Sequence, residues 1–182
     1  LWAAVSRAVR APGRVDQTVV VPLFAETAPA TLFNYRGNPD YQSEVLTAYE
    51  WGWRERWSPS VSSDLAVFYN DYDDERVIVI TDATPVTGPP NYTDISVQPF
   101  NDNHVRTWGF EYLVDWQATR SWQLQAWYSF LRRVDDVTDN PAVFGFTPGE
   151  RIEEDRDAAS LRAYWLHEKI EIDSHLRYVD AV

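Results

Sequence analysis

From Val45 to Trp53 the chain alternates: Val45, Thr47, Tyr49, Trp51 and Trp53 fall on one set of positions, and Glu44, Leu46, Ala48, Glu50 and Gly52 on the other. A period of two predicts a β-strand whose side chains point to opposite faces, one rich in aromatics and one carrying carboxylates and a glycine. The pattern recurs. Trp108, Phe110, Tyr112, Val114 and Trp116 oppose Thr107, Gly109, Glu111, Leu113 and Asp115, and Trp122, Leu124, Ala126, Tyr128 and Phe130 oppose Gln123, Gln125, Trp127, Ser129 and Leu131. In the last such run Lys169, Glu171, Asp173, His175 and Arg177 share a face too charged for a dry core, so that side needs water or a polar lumen. A helical stripe at i, i+3, i+4, i+7 is never sustained for three turns.

The expected class is all-β, an antiparallel meander of about seven strands: Leu1 to Val9, Gln42 to Arg54, Ser62 to Ile80, His104 to Ala118, Ser121 to Arg133, Asp157 to Leu166 and Lys169 to Asp180. Within Ser62 to Tyr72 the register is open, because Leu65, Val67 and Tyr69 on one face compete with Phe68 and Tyr72 on the other.

The connections alternate in length. Arg10 to Tyr41, Thr81 to Asn103 and Val134 to Arg156 are long and rich in Pro, Asn, Asp and Gly, whereas Glu55 to Val61, Thr119 to Arg120 and His167 to Glu168 are short. Structureless loops above about 12 to 15 residues are uncommon in compact domains. Transmembrane β-barrels pair short periplasmic turns with long outer loops by construction. Trp53, Trp57, Trp116, Trp122 and Trp165 gather near the short turns, as expected of an aromatic girdle where hydrocarbon meets water. Val45, Thr47, Tyr49, Trp51 and Trp53 are then expected to face lipid, and Glu44, Glu50 and Arg54 a wet interior. The alternative is a soluble β-sandwich that binds carbohydrate through exposed aromatics.

Composition narrows the functions. Nine Trp, ten Tyr and eight Phe in 182 residues suit strands. A net charge of −12 argues against nucleic acid, whose affinity rests on Lys and Arg displacing counterions. With no cysteine there is no disulfide framework and no thiolate metal site. Mean hydropathy is −0.43 and no apolar run reaches the ~18 residues of a spanning helix, which leaves barrel strands untouched as a possibility.

"SRAVRAP" (Ser6 to Pro12), "GNPDYQSE" (Gly37 to Glu44) and "AYEWGW" (Ala48 to Trp53), followed by "DLAVFYNDYDD" (Asp64 to Asp74) and "TWGFEYLVDWQ" (Thr107 to Gln117), resemble in order and spacing the middle barrel of TonB-dependent outer-membrane receptors. Pro12 can stop a strand, and Asn38-Pro39-Asp40 is turn chemistry. The resemblance implies a bacterial outer-membrane location and energy-coupled uptake of a scarce large solute such as a ferric siderophore, cobalamin or an oligosaccharide. It implies TonB and membrane lipid as partners, with no cofactor. It also implies that residues 1–182 are a partial barrel, since the family's barrel of about 22 strands, its plug domain and its closing strand with a terminal aromatic are not matched here. Gly52 and Gly109, on the lumen side, are expected to leave room for such a plug.

Enzyme signatures are missing. "HEKIE" (His167 to Glu171) lacks the second histidine of a zinc protease and alternates like a strand, and no nucleophile elbow or phosphate loop occurs. No metal site is expected: His104 and His175 have no nearby Cys or His partner. In "DYDDE" (Asp71 to Glu75) Arg76 stands where a calcium loop needs glycine. The ligand itself is not legible. Aromatic and basic outer-loop residues Phe33, Tyr35, Arg36, Tyr92, His104 and Phe144 are the expected contacts.

Overall fold

The structure, a computed structural model, describes residues 1–180; Ala181 and Val182, on which the expectation about the chain's end partly falls, lie outside them. Seven strands form a continuous antiparallel wall in sequence order: β1 (Trp2–Arg10), β4 (Glu44–Ser58), β5 (Val61–Val86), β6 (Tyr92–Gln117), β7 (Trp122–Asp136), β8 (Arg151–His167) and β9 (Ile170–Val179). A short helix α1 (Arg14–Thr18) and a hairpin of β2 (Val20–Thr27) and β3 (Ala30–Arg36) lie between β1 and β4. β3 runs parallel to β6 beside its outer half.

Residues directly opposite in a ladder share a face. The registers Tyr49–Tyr69–Trp108 and Trp51–Val67–Phe110–Phe130 therefore assemble one continuous aromatic surface. They also settle the open register: Leu65, Val67 and Tyr69 belong to that surface, and Phe68 lies opposite. The surface is unpartnered, with Trp51, Trp108 and Trp116 each more than 40% exposed and Leu176 71% exposed. A sandwich would bury these rings against a second sheet; the described strands form a single sheet, which overturns that alternative.

The long connections differ from expectation, because much of their length is strand. β5 and β6 each run 26 residues, about 85 Å at the usual rise, far beyond the 9–11 residues that cross a membrane. Past the β5 partner Asp73 and the β6 partner His104 they leave their wall neighbours and project as a two-stranded arm, with only 87–91 as its tip. Proline did not prevent this: Pro85 pairs opposite Thr93 and Pro99 opposite Ile78 inside the ladder. β3 adds to one edge of the arm. On the other edge, residues of 137–150 bridge Val79 to Val143, with Ile80 donating to the Ala142 carbonyl at 2.8 Å and Phe144 to Ile78 at 2.8 Å.

β8 begins at Arg151, six residues before its expected start, because the acidic run there is matched by bases on β7: Arg132 pairs with Glu153 and Asp155. The best-buried apolar residues gather in the arm, the segment beside it and the top of the wall from which it springs. Val77, Val79, Val137 and Val143 form a core flanked by Phe100, Ala142 and Ile152, and Val97, Pro99 and Val105 are almost fully buried.

Candidate functional site

The wall's other face is polar and holds its cavities. Cross-strand pairs line it: Arg54 Nε donates to Asp64 at 2.7 Å, Gln125 to Asp115 at 3.1 Å and Arg162 Nε to Asp173 at 2.9 Å. A groove of about 820 Å³ opens between Trp127, Ser160, Arg162, Asp173, His175 and Arg177. The two glycines expected to leave room on this face are already covered. A Cβ on Gly52 would lie 2.2 Å from the Trp2 indole, and one on Gly109 would lie 2.9 Å from Phe68 and 2.0 Å from the Phe130 carbonyl. Their missing side chains accommodate neighbouring rings of the wall itself.

At the turn end of the aromatic face stand the five tryptophans expected to form a girdle. Trp53 and Trp57 meet edge to face at 5.2 Å, and Trp57 donates its indole N–H to Ser63 at 2.8 Å. Trp122 and Trp165, register partners, lie 6.1 Å apart. Trp116 is 46% exposed on the same face.

At the opposite end, the segment 37–44 ties the excursion after β1 to the arm. A Cβ at Gly37 would meet the backbone of Gln17 and Thr18 at 2.4–2.5 Å, so glycine permits that crossing. Asn38 is buried, accepts the Asp40 N–H at 3.0 Å and donates to the Pro99 carbonyl at 3.0 Å. Asn101 reaches across to Gln42, accepting its N–H at 2.7 Å and donating to its carbonyl at 3.1 Å. Tyr41 donates to Glu44 at 2.6 Å, and burial with that hydrogen bond pushes the phenol well above its ordinary pKa. The turn chemistry legible in the sequence is thus a clamp between strands.

The expected ligand residues divide. Phe33 and Phe144, from different excursions, meet with ring centroids 5.8 Å apart. Tyr35 lies 3.5 Å from Asp16, which also faces Arg76 at 3.4 Å; burial first, then the Asp16 charge, raises the Tyr35 phenol. Arg36 donates to Ser96 at 2.8 Å, and Tyr92 opens β6 opposite Val86. These five belong to the arm, its flanking hairpin and the 137–150 segment at its other edge. His104 does not join them: it alternates with Arg106 and Trp108 onto the aromatic side of the wall, where it sits against Asp71 and Asp73. Asp16 and Arg76 escaped the sequence reading because nothing local pairs residues 60 apart.

An antiparallel wall with one exposed aromatic face, one polar face, short turns at one end and an elaborated arm at the other defines a membrane β-barrel wall. Residues 1–181 match the family described as TonB dependent receptor-like, beta-barrel, and the chain belongs to that family. It is a family of outer-membrane receptors and transporters, not of enzymes, whose full-length members work with TonB. No curated protein matches the chain.

Proposed function

We propose that residues 1–182 form a section of the barrel wall of a larger TonB-dependent receptor that takes up a scarce, large solute of the ferric siderophore, cobalamin or oligosaccharide kind. The observation that carries this reading is the pairing of faces: an unpartnered aromatic surface ended by five tryptophans, backed by a polar surface crossed by ion pairs. On this reading the first surface meets lipid with its tryptophans at the periplasmic boundary, and the second lines a lumen occupied by a plug. Seven strands are too few for a barrel of about 22, so the rest of the wall, the plug and the TonB-contacting segment belong to the remainder of the receptor. Phe33, Tyr35, Arg36, Tyr92 and Phe144 are the proposed solute contacts, carried on the arm and its flanking segments outside the membrane.

The test is the mass and location of the native protein, detected in isolated outer membranes with an antibody to this region. A membrane-retained species several-fold heavier than 21.1 kDa is expected. A soluble species of that mass would overturn the reading.

A further inference from the structure

We propose that Asp71, Asp73 and His104 bind a divalent first-row transition cation, Zn²⁺ in the first instance, on the outer side of the wall just above its aromatic band. Asp71 and Asp73 share a face of β5, two and four residues beyond Tyr69; His104 arrives from β6, four residues beyond Trp108. One ligand atom from each lies within 4.8 Å of the others. His104 Nε2 is 2.6 Å from an Asp71 oxygen and 3.5 Å from an Asp73 oxygen. Donors around a tetrahedral ion bound at about 2.1 Å stand about 3.4 Å apart, so modest side-chain rotation converts the present contacts into coordination.

Charge and donor type point the same way. Among the described residues neither Asp71 nor Asp73 has an Arg or Lys within ion-pair distance, and the nearby Arg106 guanidinium is engaged by Asp136. Two uncompensated carboxylates therefore converge on one imidazole. Asp136 also lies 3.9 Å from the other ring nitrogen, Nδ1, on the side from which a carboxylate orients a metal-bound histidine. An imidazole in the set favours zinc-like ions over Ca²⁺ and Mg²⁺, which take oxygen donors. The three groups are one-third to two-thirds exposed, which gives an ion access and leaves coordination positions open to water or an anionic group.

The experiment is calorimetric titration of ZnCl₂ into the whole receptor purified in detergent, comparing wild type with His104→Asn, Asp71→Asn/Asp73→Asn and, as a control at the other end of the wall, His167→Asn. Thermal melting establishes that each variant is folded, and His104→Asn, at a half-exposed position, serves alone if the double variant is not. The expected result is one Zn²⁺ equivalent lost, or weakened at least tenfold, in the first two variants and kept in the third, with Ca²⁺ unable to compete. Equal stoichiometry and affinity in wild type and His104→Asn overturns the proposal, as does full competition by Ca²⁺.

Discussion

The indole of Trp2 lies over Gly52, its register partner across the β1–β4 ladder, in the space that a side chain on Gly52 would take. Phe68 covers Gly109 in the same way across β5–β6. In both pairs a large ring folds over the bare backbone opposite, shielding ladder hydrogen bonds that a glycine leaves open.

The two glycines are therefore expected to respond differently to substitution. In Gly52→Ala the nearest atoms the new methyl meets belong to the Trp2 ring, a side chain that can swing away; the loss is about 1 kcal/mol. In Gly109→Ala it meets the Phe130 carbonyl at 2.0 Å, and a strand must shift; the loss is about 3 kcal/mol. Denaturant unfolding in detergent, followed by tryptophan emission, checks the order. Equal losses would mean that the ring contacts, and not the β7 backbone, set the cost.

Asn38 makes the second prediction. Asn38→Ala removes the acceptor for Asp40 N–H and the donor to Pro99, leaving a buried carbonyl without its partner, at about 2 kcal/mol. The damage is confined to the junction of segment 37–44 with the arm. Limited proteolysis of intact cells is expected to cut residues 10–41 faster in the variant, while the wall keeps its wild-type resistance.

The wall was legible because its alternation is local: Tyr49, Trp51 and Trp53 announce their face without reference to any other strand. The arm was legible only as far as Ile80, where the expected strand ended. In residues 81–86 and 92–101 Pro85, Pro99 and nearby Asp and Asn resemble a loop, and only the long-range β5–β6 register, flanked by β3 and by 140–144, makes a sheet of them. The cluster of His104 with Asp71 and Asp73 depends on a β5–β6 register that no single segment contains. Asn38 was visible as a turn residue, yet its partner Pro99 is 61 positions away.

The girdle makes the third prediction. In reconstituted bilayers, emission from Trp53, Trp57, Trp116, Trp122 and Trp165 is expected to be quenched by lipids brominated near the glycerol and hardly at all by bromines at the chain ends. Comparison of wild type with Trp122→Phe/Trp165→Phe isolates the pair that meets at 6.1 Å. Quenching strongest at the chain ends would place this row in mid-membrane and remove the girdle.

The fourth concerns Glu75, at the root of the arm beyond the aromatic band, where Asn103 donates to it at 3.3 Å and Arg133 stands 3.8 Å away. Burial pushes its carboxyl above the ordinary value, and Arg133 and Asn103 offset this only in part. An acid whose folded pKa is raised takes up its proton more readily in the folded protein, so the folded state is penalised once Glu75 ionises. The penalty is absent below the ordinary glutamate pKa, grows as pH rises from there to the raised folded value, and is constant above it. Glu75→Gln removes it, and Arg133 keeps Asp135 as a partner at 2.9 Å. The variant is therefore expected to melt higher than wild type at pH 7.5, with the gap closing as pH falls toward 4. A variant that instead melts below wild type at pH 7.5, with that deficit closing as pH falls, would show that the Arg133 ion pair outweighs desolvation and that charged Glu75 holds the arm to the wall.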